Sequence, residues 1–482
     1  MKGEDFIRFL IWMIFLLICG FALLSIAWAH IESEILIVVL WIGMIVASYA
    51  IFQYSQNINY TDDYIGSSAR QLIAIILIGT IIRLLWIVIV QPIQLSDFLA
   101  YWDSAKRLVN EGQYYYSYRD QYTLFAWRPP GYPLLLAFFI KLFGENIYIP
   151  AVINIIAYIL SSVAVYLIAG RLYTKKVAII AVLLLTFWPS HIAVTGLAAT
   201  EPVVVLLFSL MLWAFYKSET SSHIYAALSG IFLGMAILVK PSFLLLPAIW
   251  LLYVVMRWRI KGVFLKFCIS ILFAVLVVTP WTIRNYEIFG DLVLVSTNGG
   301  DVFYRANNPL ADGSYMAKGH EDLAGYLEKG EVYWNKKGYE LGKKWIMENP
   351  IKFISLIGRK QAIFLGADWD LTRWAAKRPF GEVGELYKIY EYVGEIWWAL
   401  IWVMVTAGLL RNRQFYMHST FGSVLLLTTM YFIAIHSIFE SQNRYHMVMI
   451  WLLAILAAGI MHSPRSMRMT YSDKHELNKN SS

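Results

Sequence analysis

The chain has 482 residues, of which 59% are hydrophobic, and it carries a net charge of +8. Soluble domains average about 45–50% apolar residues, so this composition indicates a multi-span membrane protein and excludes an ordinary soluble enzyme. The positive charge does not indicate a nucleic-acid partner, because basic residues that flank membrane helices account for it. The two cysteines, Cys19 and Cys268, lie in apolar segments and favour neither a disulfide framework nor a zinc site.

Apolar segments close to the ~20 residues that cross a hydrocarbon core recur along the chain. The first, from Phe6 to Ala29, has no small-residue cleavage site, so we predict a retained helix and not a signal peptide. The pattern predicts an all-α polytopic protein with about twelve spans, at 6–29, 34–54, 71–90, 147–169, 177–197, 202–217, 223–239, 241–256, 262–280, 394–410, 415–437 and 446–462.

The loops between these spans sort by charge. Lys and Arg collect in one set of loops, for example at 171–176, 257–261 and 411–413. Because cytoplasmic loops are enriched in these residues, we expect a cell-membrane protein with both termini in the cytoplasm and two long loops outside. The resulting parts are two extra N-terminal spans (1–70), a transmembrane core (71–290) with a first outer loop (91–146), a second outer loop (291–393), C-terminal spans (394–462) and a polar cytoplasmic tail (463–482).

Each outer loop holds a stretch that we predict to lie at the membrane surface. PLLLAFFIKLF, residues 133–143, is short for a span and is predicted to be a helix at the outer leaflet. In 336–365 apolar residues alternate with Lys and Arg, which favours amphipathic helices in the interface plane. The alternative is a thirteenth span, but it would place Arg411 and Arg413 outside, against the charge rule.

Two carboxylates lie at the outer ends of predicted helices. Asp97 follows Ser96, a residue suited to capping a helix start, and shares a helix face with Tyr101. Glu201 precedes Pro202 at the start of a span and has apolar sequence on both sides. An acid in a first turn is often favoured only by the helix dipole. An ionisable residue at a membrane border is also a candidate for function, so both interpretations stay open here.

Basic residues at four outer helix ends contradict the charge rule and need a reason. Each alone could extend to lipid headgroups, but four together favour a cluster that binds a phosphate. Tyr445 is expected to pack against the lipid or the phosphate. The four basic residues are Arg128, Lys240, Arg284 and Arg444.

Three further motifs carry expectations about the outer surface. In RPPGYP, residues 128–133, proline fixes φ and Gly131 is expected to adopt an angle that other residues avoid, so the turn would hold Arg128 rigidly. YRANNP offers Tyr304, Asn307 and Asn308 as sugar or acceptor contacts, or is a plain loop, and Tyr101 is a further candidate for such a contact. DWD, residues 368–370, is too short to indicate a metal. We expect no cofactor, and a divalent metal is an option that no motif indicates.

Six motifs occur in the order found in bacterial GT-C glycosyltransferases, in the branch of protein O-mannosyltransferases and lipid A aminoarabinose transferase. The chain resembles this superfamily over roughly 71–462, through SDFLAYWDSAKRL, RPPGYPLLLAFFIKLFG, TEPVVVLLF, VKPSF, PWTIRNYEIFGDLVLVSTNGGDVFYRANNP and NRYHMVMIWLLAILAAG. The resemblance implies a GT-C fold, a polyprenyl-phosphate sugar donor, and an unspecified glycan, lipid or protein acceptor. It also implies that Asp97 and Glu201 are the catalytic acids. The chain departs from the pattern in its lone Asp97, where the mannosyltransferases have an acidic pair, and in its two extra spans.

These expectations together predict an inverting displacement on the outer face. A carboxylate would take the proton of an acceptor hydroxyl, which attacks the anomeric carbon while the lipid phosphate leaves toward the basic residues. One alternative is a transporter of polysaccharides or lipid-linked sugars, although the sequence shows none of the inverted repeats typical of transporters. Another is a polymerase or ligase that uses a polyprenyl-diphosphate donor.

Overall fold

The computed structural model describes residues 3–29, 65–119, 121–257, 262–315, 317–376 and 385–462. The predicted second span at 34–54 and the tail at 463–482 lie outside the described residues. Within the described ranges the all-α prediction is confirmed, since helices make up nearly all of the regular structure. The sequence did not predict a short antiparallel pairing in the first outer loop, between β1 (Tyr116–Tyr118) and β2 (Tyr122–Leu124).

The α-helices of the described residues follow one another along the chain. They are α1 (Gly3–Ala29), α2 (Ile65–Val90), α3 (Ser96–Glu111), α4 (Gly131–Phe143), α5 (Ile149–Leu172), α6 (Lys175–Thr186), α7 (Pro189–Ala193), α8 (Glu201–Thr220), α9 (Ile224–Val239), α10 (Leu246–Met256), α11 (Val263–Phe289), α12 (Gly299–Ala306), α13 (Ala317–Ala324), α14 (Glu331–Glu348), α15 (Pro350–Gly366), α16 (Asp370–Ala376), α17 (Glu385–Arg411), α18 (Arg413–His418), α19 (Thr420–Ile435) and α20 (Ile450–Ala458).

Seven of the described helices are long and apolar enough to cross a membrane, and a bent pair, Lys175–Thr186 with Pro189–Gly196, makes an eighth. Three shorter apolar helices, Ile224–Val239, Pro241–Met256 and Thr420–Ile435, coincide with the other predicted spans. Every predicted span within the described ranges therefore coincides with a helix. The stretch at 133–143 lies in α4, which has 13 residues and is too short to span comfortably.

The centre of the bundle is formed by helices that are apolar on all faces. Every residue of α20 is buried, and α8 is buried over most of its length. A helix that is hydrophobic all round belongs in a core. The turn Asn443–Met449, which leads into α20, packs against α8. Arg444 and Glu201, at the starts of these two segments, therefore lie at the same end of the bundle.

The first of the two extra spans is an integral part of this bundle. Helix α1 packs against α15, α17, α18 and α19. Its Trp12 Nε1 donates a hydrogen bond to the Leu409 carbonyl at 3.1 Å, and its Arg8 Nη2 donates to Thr420 Oγ1 at 3.1 Å. These contacts fix α1 against helices that come more than 300 residues later in the chain.

The outer loops pack on each other through aromatic side chains and one buried carboxylate. Trp127 stacks on Trp334 with ring centroids 4.5 Å apart. Glu331 accepts hydrogen bonds from the backbone N–H groups of Phe125, at 2.6 Å, and Ala126, at 3.3 Å. Helices α14 and α15 occupy the stretch predicted to be interfacial, and Ile351 on α15 is 82% exposed. The alternative of a thirteenth span is not favoured, because α15 is not among the helices apolar enough to cross.

Candidate active site

Asp97 lies in the first turn of α3 and is bound by two guanidinium groups from distant parts of the chain. Arg128 Nη2 is 2.6 Å from Asp97 Oδ1, and Arg444 Nη2 is 2.7 Å from Asp97 Oδ2. The Asp97 side chain is 21% exposed, so the pair is largely shielded from water. Each carboxylate oxygen therefore has its own charge-assisted hydrogen bond, the strong type of contact that arginine makes.

This arrangement controls the charge of Asp97. Burial alone would raise the pKa of the carboxyl, but the positive charges of Arg128 and Arg444 outweigh it and hold the pKa well below its usual range. The pKa of Arg128 is raised in turn: burial opposes its charge, but the charge of Asp97 prevails. Asp97 is thus ionised at neutral pH, and it is a weak proton acceptor while both arginines hold it.

The start of α3 differs from the expectation in one respect. Ser96 was expected to cap the helix, but Leu95 occupies the N-cap position and Ser96 is the first residue of the helix. The Ser96 backbone has a φ of 53°, in the left-handed region that non-glycine residues seldom adopt. Such strain tends to occur at functional sites, and here it directly precedes Asp97.

A second ion pair lies at the start of α8. Lys240 Nζ is 3.6 Å from Glu201 Oε1, and Thr200 Oγ1 donates a hydrogen bond to Glu201 Oε2 at 3.2 Å. Lys240 Nζ also lies 5.5 Å from the centre of the Tyr445 ring, next to Arg444 in the chain. Tyr445 therefore brings the Glu201 pair alongside the Asp97 cluster.

The Asp97 cluster and the Glu201–Lys240 ion pair face one cavity of about 1330 Å³. Its walls are mixed, since apolar side chains such as Leu244, Leu245 and Phe432 line it together with the charged groups. A cavity of this size and character suits a ligand with an anionic head and an apolar tail. The predicted site residues that line it are Asp97, Tyr101, Arg128, Glu201, Lys240, Arg444 and Tyr445.

The RPPGYP turn brings Arg128 to this cavity by close packing. A Cβ on Gly131 would come within 2.8 Å of the backbone of Leu238 and Val239, directly before Lys240. The prediction that Gly131 needs an unusual backbone angle was wrong, because it is not among the glycines with positive φ. Tyr114 Oη holds the turn from the other side, with a hydrogen bond to the Arg128 carbonyl at 2.9 Å.

Arg284, Tyr304, Asn307 and Asn308 do not line this cavity. Arg284 Nη1 donates to the Phe125 carbonyl at 2.6 Å, and its Nη2 donates to the Tyr114 carbonyl at 2.9 Å. Arg284 thus supports the chain that leads to Arg128.

The side chains of the YRANNP motif are likewise directed to the protein itself. Asn307 Nδ2 donates to the Phe303 and Ile438 carbonyls, each at 2.8 Å, and its Oδ1 accepts from Lys360 Nζ at 2.9 Å. Asn308 Nδ2 donates to the Tyr304 carbonyl at 3.0 Å. Tyr304 packs against the aromatic cluster around Trp127 and Trp334.

Comparison with known proteins supports the resemblance seen in the motifs. Residues 127–283, which include the RPPGYP turn, Glu201 and Lys240, match the family described as dolichyl-phosphate-mannose-protein mannosyltransferase. This match confirms the resemblance to the mannosyltransferase branch. No curated protein matches this chain.

Solved structures of similar shape include three of the Archaeoglobus fulgidus oligosaccharyltransferase. The apo form has a TM-score of 0.52 at 14% identity and covers 86% of this chain and 52% of its own. The complex with zinc and sulfate has a TM-score of 0.50 at 13% identity, and the match covers 80% of this chain and 48% of the oligosaccharyltransferase chain. The complex with an inhibitory peptide and a dolichol-phosphate has a TM-score of 0.51 at 13% identity, and the match covers 85% of this chain and 52% of the oligosaccharyltransferase chain. The GT-C fold is confirmed.

The chain thus spans about half the length of the oligosaccharyltransferase that it matches. A second similar structure is ArnT from Cupriavidus metallidurans bound to undecaprenyl phosphate. It has a TM-score of 0.40 at 14% identity and covers 83% of this chain and 78% of its own.

The cavity contains a further charged cluster that was not predicted from the sequence. Arg305 Nε is 3.1 Å from Asp301 Oδ2, and Arg305 Nη2 is 3.2 Å from Glu440 Oε2. Tyr445 Oη also donates to Glu440 Oε1 at 2.8 Å, which connects this cluster to Arg444. The i, i+4 spacing of Asp301 and Arg305 was a usable local signal. The pairing of Arg305 with Glu440 had no such signal, because these residues are 135 positions apart.

The DWD motif divides between two roles. Asp368 is buried and accepts hydrogen bonds from Trp188 Nε1 and Ser190 Oγ, both at 2.8 Å, and His446 Nε2 is 3.0 Å from its other oxygen. Asp370 instead lines the cavity, 4.0 Å from Arg444 Nε. Asp368 and His446 thereby anchor the two short segments that carry Asp370 and Arg444.

The cavity acids Asp97 and Glu201 are paired with basic residues and are not grouped together as metal ligands. Among the described residues, no group of three or more His, Cys, Asp or Glu could hold an ion. Both oxygens of Asp97 already accept guanidinium hydrogen bonds, and Glu201 pairs with Lys240. Divalent cations take several oxygen ligands at once, which these paired carboxylates do not offer.

Proposed function

We propose that this protein is a membrane glycosyltransferase that moves a sugar from a polyprenyl-phosphate-linked donor to an acceptor on the outer face of the membrane. The observation that carries the proposal is the Asp97 carboxylate held between Arg128 and Arg444, in one cavity with Lys240 and apolar walls. The matched family is named for a dolichyl-phosphate donor, and one structure of the oligosaccharyltransferase contains a dolichol-phosphate.

The charges in the cavity suit the phosphate of such a donor. A sugar linked to a lipid phosphate is a phosphodiester with one negative charge, and the phosphate gains a second charge when the sugar departs. Arg444, Arg128 and Lys240 place positive charge beside the acids, and groups of this kind stabilise the charge that develops on a leaving phosphate. The apolar wall residues offer a place for the prenyl chain.

The proposed reaction is a single inverting displacement. The acceptor hydroxyl oxygen forms a bond to the anomeric carbon, while the bond from that carbon to the phosphate oxygen breaks. Asp97 takes the hydroxyl proton, and the polyprenyl phosphate departs toward the basic residues. General-base assistance of this type is worth ~10²–10⁴-fold in rate. Glu201, paired with Lys240, would orient the substrates as a second acidic group.

The geometry also implies an order of events. While both arginines bind Asp97, its pKa is too low for efficient proton transfer. A donor phosphate is a competing partner for Arg444, and its arrival would release one oxygen of Asp97. The pKa of Asp97 would then rise toward its usual value, so the base becomes active when the donor is bound.

We further propose that the cavity faces outside and that both termini are cytoplasmic, with the division of the chain as the charge pattern predicts. Single cysteines placed within 313–330 should react with an impermeant reagent on intact cells, whereas those at 411–413 should not. The equivalent cytoplasmic sites at 258–261 lie outside the described residues. Equal reaction at both sets would contradict the orientation.

No step of the proposed reaction runs through a metal or a nucleotide. One structure of the oligosaccharyltransferase contains zinc. Metal dependence is therefore tested directly, by comparing transfer after chelation with transfer after addition of divalent ions.

The deciding experiment uses the purified protein in vesicles with lipid-linked sugars extracted from the native membrane. We expect labelled sugar to become covalently attached to an acceptor, and we expect no turnover with a nucleotide sugar when no lipid carrier is present. Efficient turnover under the latter condition would refute the proposal. Movement of sugar across the vesicle without covalent transfer would favour the transporter, and use of diphosphate donors alone would favour the polymerase.

A further inference from the structure

The outer end of α1 reaches the cavity, although this helix is one of the spans that the GT-C pattern lacks. Trp28 and Ala29, its last residues, both line the cavity. The buried face of α1 leads to Ala29, whereas Trp28 follows Leu24 on the exposed face of the helix. Phe15, Cys19, Ala22 and Ile26 are all buried, and the same helical spacing continues to Ala29.

A short series of contacts connects this helix end to the charged cluster. A Cβ on Gly366, at the end of α15, would be 3.5 Å from Ala29 Cβ and 3.4 Å from the Ser25 carbonyl oxygen. Four residues after Gly366, Asp370 begins α16 and lies 4.0 Å from Arg444 Nε. The end of α1 is therefore next to the segment that flanks the phosphate-binding arginine.

The wall at this point is apolar. The apolar residues that line the same cavity as Trp28 include Ile363 of α15 and Phe432 and Ile435 of α19. Trp28 is 63% exposed, so much of its ring is free to contact a ligand. An indole offers a large, rigid apolar surface whose N–H suits a membrane interface.

We propose that the outer end of α1 forms a wall of the donor site and that Trp28 contacts the prenyl chain of the lipid phosphate whose head lies at Arg444. The proposal rests on the proposed function and deepens it. It gives the first extra span a role in recognising the apolar part of the donor. The other explanation is that Trp28 only anchors α1 at the lipid interface, as membrane tryptophans commonly do.

Kinetics in vesicles of defined phospholipid composition separate these two roles. Trp28→Ala should raise the KM for the polyprenyl-phosphate sugar about tenfold with kcat unchanged, because only apolar contact with the bound chain is lost. Trp28→Phe should stay within about twofold of the wild type. The matched control is Leu24→Ala, since Leu24 is 70% exposed one turn earlier on α1 and does not line the cavity. A KM for Trp28→Ala equal to that of Leu24→Ala would overturn the proposal.

A second measurement does not depend on turnover. A photoreactive benzophenone amino acid at position 28 should crosslink to polyprenyl phosphate supplied at a low mole fraction, whereas the same group at position 24 should capture only bulk phospholipid. Equal capture at both positions would also overturn the proposal. If the wild-type protein transfers no sugar from a polyprenyl-phosphate-linked sugar, the proposed function fails. If it transfers sugar and Trp28 has no effect, only the α1 wall fails.

Discussion

Arg444 and Arg284 carry the same charge at helix ends predicted to face outside, yet the structure gives them different partners. Arg444 donates to a carboxylate oxygen of Asp97 inside the cavity. Arg284 donates to the backbone carbonyls of Phe125 and Tyr114 and does not line the cavity. A carboxylate partner can be replaced by a phosphate of like charge, whereas carbonyl partners belong to the fold. The difference in partners is the basis for proposing a ligand-binding role for Arg444 and a structural role for Arg284.

The same contrast separates the cavity cluster from two buried ions outside the cavity. The cluster around Asp97 pairs acids with bases, whereas Glu331 and Lys360 bind mainly backbone groups. Glu331 accepts from the Phe125 and Ala126 amides, just before Arg128. Lys360 Nζ donates to the Ile438 carbonyl at 3.2 Å, just before the turn that carries Arg444. Glu331 and Lys360 thus hold in place the chain segments that carry Arg128 and Arg444.

The largest effect is expected at Asp97, the shared partner of Arg128 and Arg444. Asp97→Asn removes the proton acceptor while keeping nearly the same shape, so transfer should fall at least about 100-fold. Donor binding and expression should remain largely intact. Transfer rates with extracted donor, together with donor affinity in vesicles, measure both quantities. A variant that retains more than about a tenth of the wild-type rate would exclude Asp97 as the base.

Replacing the two arginines tests the comparison directly. Arg444→Ala should weaken donor use by ~1.5–3 kcal/mol, the range of a hydrogen bond to a charged group, seen as a higher KM at similar thermal stability. Arg284→Ala should instead lower the thermal stability, because two carbonyls lose their donor, with a smaller change in KM. The KM and the melting temperature of each variant are measured side by side. The reverse pattern would show that partner type does not separate the two roles.

Most of the fold could be predicted, because a membrane span is a local property of the sequence. The described spans follow from runs of apolar residues, and the bent pair at 175–196 is a single run interrupted by Pro189. The β1–β2 pairing was missed because its strands have only three residues each, too few for a pattern. Gly131 was recognised as a constraint, but its cause, the backbone at Leu238, lies more than 100 residues away.

The sequence predicted which charged residues belong to the site, but it did not predict which of them pair with each other. Charges at outer helix ends singled out Asp97, Arg128 and Arg444 without showing that they meet. Asp97 and Arg444 are 347 positions apart, and no local pattern encodes that contact. For the same reason the sequence could not separate Arg444 from Arg284, since both look alike until their partners are known.

A smaller effect is expected at the second ion pair of the cavity. Glu201→Gln keeps the hydrogen bond from Thr200 but removes the charge opposite Lys240, so transfer should fall about tenfold, less than for Asp97→Asn. Steady-state rates of both variants at saturating donor give the comparison. A loss at Glu201 that equals or exceeds the loss at Asp97 would point to Glu201 as the base.

The smallest effect concerns pH and tests the exchange of Arg444 between Asp97 and the donor. In the donor-free protein the pKa of Asp97 is well below its usual value of about 3.9, mainly because the arginine charges outweigh its burial. The stability from this cluster is therefore fully present above about pH 3.9 and is lost only as the pH falls through the lowered pKa.

The value of kcat/KM for the donor reports the free enzyme. Between pH 7 and pH 5 protonation of Asp97 should therefore not lower kcat/KM. Once the donor phosphate has taken Arg444, the pKa of Asp97 should rise, so the acid limb of kcat should lie at higher pH than that of kcat/KM. The loss in kcat at pH 5 is expected to be less than about twofold, because the raised pKa approaches only about 3.9.

pH–rate profiles of the wild type and of Arg444→Lys measure the separation between the acid limbs of kcat and kcat/KM. Arg444→Lys should narrow this separation, since lysine holds the carboxylate less rigidly. Acid limbs that coincide in the wild type would show that Arg444 stays on Asp97 throughout the reaction.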